Sequence, residues 1–145
     1  MTNHDTSLPF AGELDAAATW ERLATDADAV LIDVRTTAEW QNIGVPDLSD
    51  FGKEARFVEW QRAPDMEVNP RFLDQVAAAG VRPEQTLYLI CRSGARSAHA
   101  AAALTAHGYP RCYNVRDGFE GKPNMLGRRG TVEGWQWAGL PWRKP

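Results

Sequence analysis

The residues best suited to chemistry surround one of the two cysteines of the chain. An apolar run ends at Ile90 and is followed by the segment Cys91-Arg92-Ser93-Gly94-Ala95-Arg96-Ser97. An alanine-rich stretch comes next, so the thiol is expected at a helix N-terminus, where unpaired N–H groups favour an anion. Two arginines add positive charge, and Gly94 permits a turn whose amides face inward. These features favour a thiolate, the nucleophilic form of cysteine.

The same residues permit a plainer interpretation. Cysteine is among the most buried residue types, and a lone buried thiol is usually inert packing. The reactive interpretation is favoured because a strand, a glycine, two arginines, two serine hydroxyls and a helix coincide around Cys91. The second cysteine, Cys112, lies inside an apolar strand pattern instead. We expect it to fill core space rather than to act as a second reactive thiol.

Strand and helix patterns alternate along the chain and predict a parallel sheet. Strands are expected at 29–32, 86–90 and 111–115, with a weaker one at 56–58. Helices are expected from the capping residue Asp15 through Ala24, over a short turn at 36–40, from Asn69-Pro70 to Gly80, and at 95–107. Because ligands bind beyond the carboxyl ends of parallel strands, the segment after Ile90 lies where a site is expected.

Four further expectations concern the remaining parts of the chain. In the first helix, Ala17, Trp20 and Leu23 are predicted to share the apolar face. Residues 61–68 are expected to form a loop. The segment 122–145 is expected to be irregular, with its tryptophans Trp135, Trp137 and Trp142 packed against the body of the protein. We predict a short lead over residues 1–12 and a single domain over 13–145.

The cysteine segment resembles the active-site loop of the rhodanese family of sulfurtransferases. Other stretches resemble that family in the same order: Leu31-Ile32-Asp33-Val34-Arg35 with Glu39-Trp40, Tyr113-Asn114-Val115 leading to Gly118-Phe119-Glu120-Gly121, and Gly134-Trp135 with Ala138-Gly139-Leu140-Pro141-Trp142. The resemblance implies an α/β fold, a rhodanese-like three-layer sandwich whose central, mostly parallel sheet has helices on both faces. One stretch departs from the family: Gly44-Val45-Pro46-Asp47-Leu48 lacks the histidine and second glycine usual there.

The resemblance implies sulfur transfer through a persulfide on Cys91. An anionic donor supplies the sulfur, and a thiol, cyanide or a protein thiol accepts it. Thiosulfate is the default donor, while 3-mercaptopyruvate, glutathione persulfide and a protein persulfide stay open. The binding loop implied for substrate and persulfide is Arg92, Ser93, Gly94, Ala95, Arg96 and Ser97.

Within this loop, Arg92 is the candidate contact for the donor anion. Arg96 either binds an anion or pairs with a carboxylate. The resemblance also implies structural roles for Asp33, near the loop, and for Arg35, in an ion pair whose candidate partner is Glu39. A surface pair of little energetic value is the alternative for these residues.

Loop length separates this family from related phosphatases. Four residues lie between Cys91 and Arg96, one fewer than in the phosphatase pattern. A tighter ring of amides suits a single sulfur atom better than a tetrahedral oxyanion. A phosphatase or arsenate reductase is therefore disfavoured. A non-catalytic binding or regulatory module with the same fold is the main alternative.

Composition excludes several other classes of protein. The net charge of −3 argues against a nucleic-acid binder, and no apolar run approaches a membrane span. The first ten residues lack the basic and apolar regions of a secretory signal, so we expect a cytoplasmic protein without nucleic-acid or membrane partners. The three histidines show no metal-ligand spacing. We expect no metal and no cofactor, and the sequence does not fix the oligomeric state.

Overall fold

The computed structural model of the protein describes residues 8–145. Its strands are β1 Gly12–Leu14, β2 Val30–Asp33, β3 Val45–Pro46, β4 Arg56–Phe57, β5 Gln61–Arg62, β6 Glu67–Val68, β7 Leu87–Ile90, β8 Cys112–Val115 and β9 Trp142–Arg143. Its helices are α1 Ala16–Thr25, α2 Thr37–Asn42, α3 Phe72–Ala78 and α4 Ala95–Ala106, with a 3-10 turn at Ser49–Phe51. The central sheet has five strands in the order β1-β8-β7-β2-β4, and all its neighbours run parallel.

The two faces of the sheet support separate apolar cores. Alternate residues of the central strands point to opposite faces, so Leu89 joins one core while Ile90 joins the other. Helices α3 and α4 cover the first face, and α1 covers the second together with Phe119 and Trp135 from the C-terminal segment. This arrangement confirms the predicted three-layer α/β fold with helices on both faces.

The main predicted elements are present with small shifts at their ends. Asp15 caps α1, because its side chain accepts a hydrogen bond from the N–H of Ala18. The predicted membership of the apolar face of α1 is wrong at one position. Ala17 is exposed, and Thr19 is buried instead. The strands predicted at 29–32 and 86–90 are β2 and β7, whose residues are all buried.

The third helix begins later than predicted. Asn69 and Pro70 lie before α3, which starts at Phe72. The Asn69 side chain accepts a hydrogen bond from the N–H of Arg71 and donates to the carbonyl of Glu59, so it forms a turn ahead of the helix. Asn69 therefore fixes the approach to the helix without being its capping residue.

Two loop predictions are corrected. Residues 61–68 form an antiparallel hairpin of β5 and β6, in which Gln61 pairs with Val68. The C-terminal segment includes β9, which pairs with β3. Of the tail tryptophans, Trp135 is fully buried, whereas Trp137 is 57% and Trp142 40% exposed. Trp142 still contacts the ring of Phe119, so packing of the tail rests on Trp135 and Trp142.

Most of the predicted lead lies outside the described residues. Of its described part, Phe10 is buried and Gly12 opens β1. The division between residues 1–12 and 13–145 stays a prediction. Among residues 8–145, no helix combines the length and the apolar character that crossing a membrane requires.

Candidate functional site

Cys91 follows β7 directly, at the carboxyl end of the central strand of the sheet. Its side chain is buried, and its Sγ accepts hydrogen bonds from the backbone N–H of Gly94 at 3.2 Å and of Ser97 at 3.3 Å. The Ser97 Oγ lies 3.2 Å from the same sulfur. The predicted inward-facing amides are therefore present around this thiol, and they favour negative charge on it.

Two glycines allow the loop to adopt this shape. Gly94 has a φ of +105°, and a Cβ there would lie 2.2 Å from the carbonyl oxygen of Arg116. Gly118 has a φ of +68°, and its Cβ would lie 2.4 Å from the carbonyl oxygen of Arg92. These close approaches let the turn after β8 support the loop, since the Phe119 N–H donates to the Cys91 carbonyl.

Arg96 is held by a carboxylate on another helix. Its Nη1 and Nη2 lie 2.7 and 2.9 Å from the two carboxylate oxygens of Glu39 in α2. Burial alone would raise the pKa of Glu39, but the hydrogen bonds from Arg96 and from the Thr36 N–H lower that pKa to about 2. The same hydrogen bond to Glu39 raises the pKa of Arg96. Arg96 thus remains a fixed cation at the start of α4.

The three remaining loop side chains differ in exposure. Arg92 and Ala95 are exposed, and Ser93 is partly buried. The guanidinium of Arg92 is therefore accessible to an approaching anion, in contrast to that of Arg96. His99, further along α4, is exposed as well.

Asp33 and Arg35 form a buried pair at the end of β2. The Arg35 Nη2 lies 2.8 Å from Asp33 Oδ2, and both side chains are fully buried. Arg35 also donates to the carbonyl of Gly44 and lies over the Phe119 ring at 4.2 Å. The expected Arg35–Glu39 pair is wrong, because Glu39 binds Arg96 instead. Asp33 is paired in register with Ile90, the residue before Cys91, so this pair connects β2 to the loop.

Sequence reasoning missed a polar network behind the thiol. The Ser97 hydroxyl donates to Asn114 Oδ1 at 2.5 Å. The Asn114 Nδ2 donates to Glu13 Oε2 at 2.8 Å and to the Gly94 carbonyl at 3.1 Å. The sequence does contain a signal for this network, because Asn114 lies inside the otherwise apolar strand β8. A buried amide side chain is tolerated only when it is hydrogen-bonded.

Cys112 is remote from this site. It is paired in register with Leu87, at the start of β7, whereas Cys91 follows the other end of that strand. Burial raises the pKa of Cys112 to about 11, and its Sγ donates to the Tyr109 carbonyl. The predicted core position of Cys112 is confirmed, and its lack of reactivity stays a prediction that a neutral, buried thiol supports.

Comparisons with known proteins show the family of the chain. A family model described as the STR4 middle domain matches residues 11–145. Rhodanese-like domain-containing protein 4, chloroplastic, of Arabidopsis thaliana is 29% identical over 135 residues, which are 92% of this chain and 26% of that protein. A sulfurtransferase of Allochromatium vinosum is 30% identical over 110 residues, 76% of this chain and 86% of that protein. The chain belongs to the rhodanese-like family.

Similarity extends to proteins whose names state no activity. The uncharacterized protein RC0915 of Rickettsia conorii is 38% identical over 124 residues, 86% of this chain and 90% of that protein. The crystal structure of Rv0390 from M. tuberculosis superimposes with a TM-score of 0.86 at 43% identity, covering 94% of this chain and 99% of that one. The fold shared with that structure therefore extends over nearly the whole described chain.

Proposed function

We propose that the protein is a sulfurtransferase that carries a sulfane sulfur as a persulfide on Cys91. The Cys91 thiolate attacks the outer sulfur of thiosulfate or a related donor. A new S–S bond forms, the donor's own S–S bond breaks, and sulfite leaves with the electron pair. A thiolate or cyanide then attacks the terminal sulfur, and the Cys91 thiolate is released.

The observation that carries this proposal is the pair of backbone N–H groups directed at the Cys91 sulfur. The N–H groups of Gly94 and Ser97 stabilise negative charge at the sulfur without contributing a proton. Such an arrangement suits a step in which a sulfur anion is both the attacking and the leaving group. Family membership, with a relative named sulfurtransferase, gives independent support.

The two loop arginines take different roles in this proposal. Arg92 is exposed and attracts the anionic donor. Arg96 is occupied by Glu39 and holds the start of α4 in place. The remaining loop residues, Ser93, Gly94, Ala95 and Ser97, shape the ring around the sulfur. The reaction requires no cofactor.

The proposed partners are a small anionic donor and a thiol, cyanide or protein thiol as acceptor. Thiosulfate is the first donor to test, because Arg92 provides an exposed cation for a small anion. Location in the cytoplasm stays a prediction. The alternatives are a non-catalytic module with the same fold and a phosphatase or arsenate reductase.

Incubation with thiosulfate followed by intact mass measurement tests the proposal. We expect the mass to increase by one sulfur atom in the parent protein and in Cys112→Ala, and not in Cys91→Ser. Added cyanide should remove that sulfur as thiocyanate. Arg92→Ser should lower kcat/KM for thiosulfate roughly tenfold with little change for an uncharged donor.

Two results would contradict this function. An unchanged mass with the whole donor panel would favour the non-catalytic module. Turnover of an aryl phosphate that depends on Cys91 would favour the phosphatase.

A further inference from the structure

The hydroxyl of Ser97 lies between two groups that compete for its single hydrogen. Its Oγ is 3.2 Å from Cys91 Sγ and 2.5 Å from Asn114 Oδ1. A serine hydroxyl can donate only one hydrogen bond, although it can accept two. Which neighbour receives that hydrogen therefore determines what Ser97 offers to the sulfur.

The orientation of the Asn114 amide decides the competition. Its NH₂ group faces Glu13 Oε2 at 2.8 Å and the Gly94 carbonyl at 3.1 Å, and both partners accept hydrogen bonds. The amide oxygen must then face Ser97. Because that oxygen carries no hydrogen, the hydrogen of the 2.5 Å contact comes from Ser97.

Ser97 consequently presents an oxygen lone pair to Cys91. A thiol can donate its S–H to that lone pair, whereas a thiolate has no hydrogen to donate. A hydrogen bond from Ser97 to a thiolate requires the hydroxyl to turn away from Asn114. The Asn114 amide is buried, so its oxygen would then be left unpaired at a cost in free energy.

We propose that Asn114, oriented by Glu13, is a positioning residue that holds the Ser97 hydroxyl away from Cys91 and so favours the resting thiol. When Cys91 loses its proton to a base in solution, the Ser97 O–H turns about its Cβ–Oγ bond to donate to the sulfur. The hydrogen bond from Ser97 to Asn114 is lost in this turn, and the only covalent change is the transfer of the S–H proton to the base. The inference rests on the proposed role of Cys91 as nucleophile.

Charged groups lie on the elements around this site. Asp33 ends β2 and Arg35 follows it, Glu39 lies on α2, Arg92 lies in the loop, Arg96 lies on α4, Glu13 lies on β1, and Arg116 and Asp117 follow β8. All of them are unchanged in the variants used below. A difference in the alkylation profile between variants is therefore due to residues 97 and 114.

The experiment measures the rate at which iodoacetamide alkylates Cys91 as a function of pH, resolved from Cys112 by peptide mass spectrometry. Asn114→Leu frees the hydroxyl, and we expect the profile to move about one pH unit lower, a tenfold gain in rate on its acidic side. Asn114→Asp provides a stronger acceptor and a negative charge, and should move the profile higher. A merely structural loss would move both variants in one direction.

A double variant separates the effect of the Ser97 hydroxyl from the other effects of replacing Asn114. In a Ser97→Ala background, Asn114→Leu should leave the profile of Ser97→Ala unchanged. Asn42→Asp, which adds the same charge at an exposed position of α2, controls for the net charge of Asn114→Asp. Thermal unfolding shows which variants are folded. If Asn114→Leu does not fold, the upward shift of Asn114→Asp and its reduction in the Ser97→Ala background decide the matter.

The proposal is overturned if Asn114→Leu leaves the profile in place or raises it, or if its shift persists without the Ser97 hydroxyl. Alkylation requires no sulfur donor, so this result is independent of persulfide formation. A protein that alkylates as expected but takes no sulfur from thiosulfate would refute the proposed function and leave the role of Asn114 intact.

Discussion

At the scale of single residues, Glu39 connects two helices across the site. Its carboxylate accepts from Thr36 at the start of α2 and binds Arg96 at the start of α4. The folded protein holds its pKa at about 2, whereas the ordinary value is 4.5. Because the unfolded chain takes up a proton first as the pH falls, this carboxylate stabilises the fold above pH 4.5 and loses that contribution between 4.5 and 2.

Replacing Glu39 by glutamine should therefore lower stability in a pH-dependent way. Glu39→Gln keeps an acceptor for the Thr36 N–H but removes the charge that binds Arg96. We expect the free energy of unfolding at neutral pH to fall by roughly 1.5–3 kcal/mol. Urea unfolding across pH 2–7 should show the difference from the parent shrinking below pH 4.5.

The exposed carboxylate of Glu21 provides the control for this experiment. Glu21→Gln should stay within about 0.5 kcal/mol of the parent at every pH. A Glu39→Gln variant as stable as the parent at neutral pH would show that the ion pair with Arg96 contributes nothing net.

The sequence predicts this pair only in part. Pairing of Arg96 with a carboxylate is one of two expectations from the sequence, but the spacing of four residues favours Arg35 as the partner of Glu39. That spacing brings side chains together only within a helix. Arg35 precedes Thr36, the capping residue of α2, and therefore lies outside the helix. The partner of Glu39 is Arg96, which lies 57 residues further along the chain. Local sequence patterns do not predict pairs this far apart.

At the scale of elements, the turn after β8 supports the cysteine loop from behind. Gly118 packs directly on the loop backbone, with its Cα hydrogen directed at the carbonyls of Cys91 and Arg92. The N–H groups of Phe119 and Glu120 donate to these same two carbonyls. The shape of the loop thus depends on a second segment that the sequence places more than twenty residues away.

Adding one methyl group at Gly118 should displace the loop. The new Cβ would lie 2.4 Å from the Arg92 carbonyl oxygen and 2.7 Å from that of Cys91. Gly127→Ala is a matched control, since Gly127 has a similar positive φ of +79° but nothing within 4 Å of its Cβ position. We expect Gly118→Ala to be about 2 kcal/mol less stable than the control in urea unfolding.

The same two variants should also differ in the chemistry of the cysteine loop. Persulfide formation from thiosulfate should fall at least roughly tenfold in Gly118→Ala, because misplaced amides no longer stabilise the sulfur anion. It should be unchanged in Gly127→Ala. Equal stability and equal persulfide formation in the two variants would mean that the turn does not shape the loop.

Element predictions succeed where an apolar pattern is strong. The buried strands β2 and β7 are evident as apolar runs, because both of their faces pack against helices or the tail. The hairpin of β5 and β6 cannot be predicted from apolar patterns. Each of its strands has two residues and is largely exposed, so no alternation of apolar and polar residues marks it.

At the scale of the whole molecule, the C-terminal segment completes the core on the α1 face of the sheet. Trp135 is fully buried there, contacts the ring of Trp20, and donates from its indole Nε1 to the Pro141 carbonyl. Its backbone N–H donates to the carbonyl of Gly118, which connects the tail to the turn behind the cysteine loop. The sequence predicts packing by the tail but does not separate Trp135 from Trp137, because neither lies in a periodic element.

The two tryptophans should therefore differ sharply on replacement. Trp135→Ala leaves a large cavity in the core and removes the hydrogen bond to Pro141, so we expect a loss of about 3–5 kcal/mol in the free energy of unfolding. Trp137→Ala removes the same side chain two positions away, from a site that is 57% exposed, and should cost no more than about 0.5 kcal/mol. Urea unfolding followed by circular dichroism measures both. The backbone N–H of residue 135, which donates to the Gly118 carbonyl, is kept in Trp135→Ala, but collapse of the core around it should displace the turn behind the cysteine loop. We therefore expect slower persulfide formation on Cys91 in Trp135→Ala without denaturant, whereas Trp137→Ala should retain the parent rate. Similar losses of stability in the two variants would place the tail outside the core.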